Sequence, residues 1–148
     1  MRRPAGSTPI LWSCCLLIVA AACQKDQETV PAPPSEMVSV TGVTLGRAIG
    51  TDSRITEETE TFSPTETIYV AVETTGTSPG ATLGTRWTYE DGQLVDESSQ
   101  TIAPDGPEVT QFHVSKPDGW PTGSYQVAIT LNGAETGTEE FEVTAGAE

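Results

Sequence analysis

Gly119-Trp120-Pro121-Thr122-Gly123-Ser124-Tyr125-Gln126-Val127-Ala128-Ile129-Thr130-Leu131-Asn132-Gly133 is the stretch that decides the fold. Tyr125, Val127, Ile129 and Leu131 alternate with Gln126, Ala128 and Thr130, the period of two that a strand with one buried face requires. Asn132-Gly133 follows, a pair that tolerates positive φ and marks a hairpin. The return strand has to bring Phe141 and Val143 onto the same face. A strict two-residue turn pairs Leu131 with Ala134 and leaves Phe141 on the wrong side. One extra residue pairs Leu131 with Glu135 and Tyr125 with Phe141, so a three-residue loop or a bulge is expected.

Working outward, Val109 to Val114 reads as a strand with Phe112 and Val114 inward and His113 on the opposite side. Ala81 to Tyr89 carries Leu83, Trp87 and Tyr89, and Asp91-Gly92 gives a second hairpin signal. The strand after it, Gln93 to Gln100, has Leu94 beside Val95, so its pattern fixes no register. Thr67 to Glu73 presents Ile68, Val70 and Val72 to one side; Thr74 to Gly80 reads as a loop and Ile102 to Pro107 as a turn. Val38 and Val40, then Val43 and Leu45, mark a first strand whose phase slips at Gly42, as at a bulge. Arg47 to Glu60 is polar, anchored by Ile49 and Ile55, and reads as a loop with a short edge strand. Seven or eight short strands, frequent turn signals and no helical periodicity describe one all-β antiparallel sandwich over residues 37–148.

The N-terminus gives an address. Arg2 and Arg3 precede an apolar run from Ile10 to Ala22 that ends in Ala20-Ala21-Ala22, the layout of a secretory signal peptide over residues 1–22. As a helix that run spans roughly 20 Å, short of the ~30 Å hydrocarbon core, so a retained membrane span is disfavoured. Ala20-Ala21-Ala22-Cys23 resembles the lipobox of bacterial lipoproteins, with Ala20 where that family usually has leucine. The resemblance implies that Cys23 becomes the lipidated first mature residue, which also accounts for an otherwise unpaired cysteine. Residues 23–36 include Pro31, Pro33 and Pro34 and read as a polar tether, reaching roughly 40 Å if extended. Gln24 stands where an aspartate resembles an inner-membrane retention signal, which implies the periplasmic face of the outer membrane or the cell surface.

The formal charge is −14, from 7 basic and 21 acidic residues. Phosphate contacts need basic clusters, so nucleic acid is not an expected partner. With Cys23 lipidated no cysteine pair remains, and the core has to rest on burial.

The sandwich resembles the immunoglobulin-like folds. Trp87 sits where they keep a buried tryptophan on the third strand, and Tyr125 heads a strand as in a tyrosine corner. The missing cysteine pair departs from the antibody pattern and leaves a fibronectin-type variant open.

Groups for catalysis are scarce. His113 is the one histidine, and its strand parity makes it an ordinary surface residue. Neighbouring carboxylates such as Glu139-Glu140 fall on opposite faces of a strand, as a solvated surface requires and a glycosidase cleft does not. Zinc lacks further ligands, and Asp91-Gly92 and Asp105-Gly106-Pro107-Glu108 are turns before they are calcium loops. No catalytic residue, metal or cofactor is expected.

The binding candidates are Trp120, Lys116 and Asp118, on the loop from Lys116 to Gly123. Trp120 is either an exposed anchor for a sugar or a protein, or a lid folded over the end of the core. The sequence therefore points to a membrane-anchored, non-catalytic binding, adhesion or structural module of the cell envelope, with an envelope protein or polysaccharide as partner. A small envelope enzyme, or an inhibitor of one, is the alternative.

Overall fold

A computed structural model describes residues 37–146, so the expected signal peptide, Cys23 and the tether lie outside the described residues. The elements are nine strands: β1 (Met37–Ile49), β2 (Ile55–Glu58), β3 (Thr61–Phe62), β4 (Ile68–Thr77), β5 (Ala81–Tyr89), β6 (Gln93–Ile102), β7 (Glu108–Val114), β8 (Gly123–Leu131) and β9 (Ala134–Val143). They form two sheets, ordered β2-β1-β4-β7 and β3-β9-β8-β5-β6. Neighbouring strands are antiparallel except β3, which runs parallel to β9. The inward rows of the two sheets meet in one core that includes Val70, Val72, Leu83, Trp87, Val127 and Ile129.

The strand that opened the reading is the centre of the second sheet. Tyr125, Val127, Ile129 and Leu131 are buried, and Trp87 faces Val127 from β5. The expected extra residue in the last hairpin is a bulge. Asn132-Gly133 makes a two-residue turn with Leu131 paired to Ala134, not to Glu135; the register then shifts past Thr136, and Tyr125 meets Phe141 as expected. Leu94 beside Val95 has the same solution, for the β5–β6 register shifts between Trp87 and Thr88 and leaves Val95 as the additional residue. The phase slip at Gly42 is a third register shift.

Two expectations need correcting, and one strand went unread. Thr74 to Thr77 is strand, because β1 begins early enough to pair Met37–Val40 with it. Gly76 allows that pairing at φ 117°, where a Cβ would collide with the Met37 carbonyl. Arg47–Ile49 continues β1, and a turn from Gly50 to Arg54 returns the chain as the four-residue edge strand β2. Arg54 then reaches back over β1 to Glu73 of β4. Finally, Thr61-Phe62 is a strand of its own that carries the chain from one sheet to the other. Phe62 is completely buried there, edge-on to Phe141 at 5.5 Å.

The two ends of the sandwich differ in what they carry. The chain enters at Met37, beside the turns Ser78–Gly80, Ala103–Pro107 and Asn132-Gly133. β8, nine residues and roughly 30 Å long, runs back from the opposite end, where Gly123 pairs with Val143. The loop from Lys116 to Gly123 and the turn at Glu90–Gly92 lie at that opposite end.

Candidate functional site

The loop between β7 and β8 is fixed by hydrogen bonds from both sides. Gly119 N–H donates to the Lys116 carbonyl at 2.9 Å, closing a turn with Gly119 at φ 83°. Trp120 donates twice to the segment before β4: N–H to Pro64 O at 2.7 Å and Nε1–H to Glu66 O at 2.9 Å. Tyr125 Oη donates to Pro121 O at 2.8 Å, the i to i−4 bond of a tyrosine corner, and Tyr89 Oη donates to Thr122 O at 3.0 Å. Gly123, at φ 145°, brings the chain against the Tyr89 ring and Glu90 Oε1, where a Cβ would clash.

Of the two readings of Trp120, the lid is the one observed. Its side chain is 4% exposed and stands edge-on to Tyr125 at 5.7 Å. Tyr125 in turn stacks on Phe141 at 5.2 Å and lies 4.7 Å from Tyr89. Burial, and then the nearby Tyr89 and Glu90, push the Tyr125 hydroxyl up to about 12. The indole face is therefore not presented to solvent; Lys116, Asp118, Pro121 and Thr122 are.

Lys116 opens the turn and Asp118 lies within it; neither makes an ion pair among the described residues, whereas Arg47 pairs with Glu66 at 3.4 Å. Lys116 and Pro121 form one wall of a small hollow of about 120 Å³, and Tyr89, Gln93, Leu94 and Val95 form the other, over Trp120 and Tyr125. Sequence reasoning missed this second wall. Leu94 was its signal, a leucine beside a turn that stays 49% exposed. The arrangement offers a mixed, mostly polar hollow with one cation and the half-exposed Leu94 at its wall, suited to holding a surface rather than to moving protons.

The other chemical candidates are dispersed. His113 is exposed on the outer face of β7, with its ring 5.8 Å from that of Tyr69. Asp91 and Asp105 are exposed in their turns, and among the described residues no group of three or more His, Cys, Asp or Glu side chains is placed to hold a metal ion.

Sheet orders of β1, β4, β7 against β9, β8, β5, β6, a buried tryptophan on β5 and a tyrosine corner on β8 define an immunoglobulin-like β-sandwich. No family model matches the sequence, and no curated protein sequence matches it either. Among solved structures, the alkylpurine DNA glycosylase AlkC of Pseudomonas fluorescens bound to abasic-site DNA is similar at 14% identity and a TM-score of 0.51, over 73% of this chain and 30% of that one. This likeness is one of fold, and the chain spans less than a third of the glycosylase. An immunoglobulin-like protein of Pseudomonas aeruginosa is similar at 14% identity and a TM-score of 0.48, over 73% of this chain and 97% of that one. A CARDB domain of Pyrococcus furiosus, in complex with di-metal ions, is similar at 12% identity and a TM-score of 0.45, over 73% of this chain and 86% of that one.

Proposed function

We propose that the protein is a lipid-anchored, extracytoplasmic binding module of the cell envelope that engages an envelope protein or polysaccharide through the end of the sandwich opposite Met37. The observation that carries this reading is the loop from Lys116 to Gly123, held by hydrogen bonds to Pro64, Glu66, Tyr89 and Tyr125. A loop so fixed loses little conformational entropy when it meets a partner. Rigid strands carrying a surface loop are the usual way such scaffolds bind. The apolar run ending in Ala20-Ala21-Ala22-Cys23 supports the anchor, and a tether that enters at Met37 would present the opposite end outward.

Two measurements test the two halves of the proposal separately. Labelled fatty acid should be incorporated into the wild-type chain and not into Cys23→Ser; equal labelling of both, or of neither, sinks the anchor. Leu94→Asp with Lys116→Glu should abolish capture of the partner from membranes while leaving the melting temperature nearly unchanged. Capture undiminished by the double substitution removes this end as the site.

A further inference from the structure

Every sheet edge invites another strand, and most edges here are blocked. β2 and β3 are four and two residues long. The ladders of β1, β6 and β9 are each interrupted by a register shift, at Gly42, Val95 and Thr136. β6 and β9 also turn a carboxylate toward the inner side of the sheet, since Asp96 pairs with Trp87 and Glu139 with Val127. Short strands, bulges and inward charges are the devices that protect edges from pairing. β7 has none of them. It pairs with β4 in unbroken register from Glu108 to Val114, with no proline and no charge between Val109 and Val114.

The groups of β7 that face away from β4 are identifiable, and one of them is capped by a side chain. The Gln111 carbonyl accepts from Gln100 Nε2 at 2.7 Å, a side chain of the facing sheet's edge, so it points away from β4. By strand alternation the N–H and C=O groups of Val109 and His113 point outward with it. We propose that β7 is an edge through which two copies of this chain pair, antiparallel about Gln111, making one sheet continuous across both. In that register Gln111 meets Gln111 and Val109 meets His113; once the Gln100 amide swings off the Gln111 carbonyl, three such pairs give about six hydrogen bonds. The charges agree with antiparallel pairing. Glu108 of each copy meets Val114 of the other, two positions from Lys116, which has no ion-pair partner within its own chain among the described residues. The net charge of −14 opposes association at low salt, so pairing should strengthen as salt is added. This inference is independent of the lipid anchor and of the loop at Lys116.

The test uses the full chain as its cells produce it. Gln111→Cys puts two thiols across the symmetry axis at a Cα separation of about 5.5 Å, suited to a disulfide. Mild oxidation should give a covalent homodimer several-fold more abundant than in the wild type or in Glu97→Cys, whose cysteine lies on the other sheet. Gln111→Pro removes an outward N–H without touching the β4 ladder, so the chain should keep its melting temperature while its dimers dissociate to monomers. Crosslinking of Gln111→Cys no greater than the Glu97→Cys background overturns the proposal. A crosslink to a species of different mass in place of the homodimer overturns the second copy as occupant, and a dimer that survives Gln111→Pro overturns the edge.

Discussion

The end where the chain enters and the end that carries the Lys116–Gly123 loop are closed by different means. At the entry end the turns are joined largely main chain to main chain: Ser78 N–H to Pro104 O at 3.0 Å, Gly106 N–H to Gly76 O at 2.8 Å and Asn132 N–H to Thr82 O at 2.7 Å. Two side chains join in: Ser78 Oγ accepts from Gly80 N–H at 3.2 Å, and Asn132 Oδ1 accepts from Thr82 N–H at 2.9 Å, extending the β5–β8 ladder by a step. At the far end Trp120, Tyr125, Tyr89, Phe141, Trp87 and Phe62 form a run of touching rings. Two of these rings, Tyr89 and Tyr125, donate through their hydroxyls to loop carbonyls, and Trp120 does so through Nε1. Main-chain bonding closes the entry end through backbone shape, with glycine required at Gly76 and positive φ at Gly106, Asn132 and Gly133, whereas aromatic closure commits particular side chains. The first is exacting about backbone conformation and the second about ring volume.

That contrast is open to measurement. Trp120→Ala should cost ~3–4 kcal/mol and lower the melting temperature by many degrees, since it empties an aromatic volume and orphans the Glu66 carbonyl. A loss below ~1 kcal/mol, with wild-type emission typical of exposed indole, would mean that the far end is not closed by rings at all. Tyr125→Phe keeps the ring and removes the bond to Pro121, so ~1 kcal/mol is expected by denaturant titration. Asn132→Ala at the entry end should also cost no more than ~1 kcal/mol, because the main-chain bonds beside it remain. A loss of ~3 kcal/mol there would erase the distinction between the ends. The smallest effect belongs to alkaline solution. Tyr125 holds its proton to about 12 when folded and to about 10 when unfolded, so its contribution is complete below pH 10 and falls as pH rises toward 12. Tyr125→Phe should flatten that decline; an unchanged slope would assign it to other groups.

The same contrast explains what was legible in the sequence. Alternation announced β8, because the period of two is written in consecutive residues, and the resemblance to immunoglobulin-like folds implied the buried Trp87 and the tyrosine corner. It also required an extra residue after Asn132-Gly133, but the choice between a wider turn and a bulge at Thr136 depends on cross-strand geometry. Thr74–Thr77 looked like a loop because its composition is polar, and its strand state comes from the partner Met37–Val40 far away in the chain. Phe62 gave no pattern at all, being one of two residues in its strand. For the candidate site, Lys116 and Asp118 were readable as a loop between strands. The inward turn of Trp120 was not, for it depends on Pro64 and Glu66. Tyr89 and Leu94 joined the hollow only when β5 and β6 folded back beside the loop.

The stitching of Trp120 to Glu66, 54 residues earlier, also has a meaning in time. Contacts of such sequence separation form late, after the cost of closing the intervening chain has been met. A nascent or half-assembled molecule, even one with every hairpin in place, lacks the finished surface around Lys116. Under the binding role proposed above, a partner reading the shape of this loop would engage only chains whose two sheets have already docked.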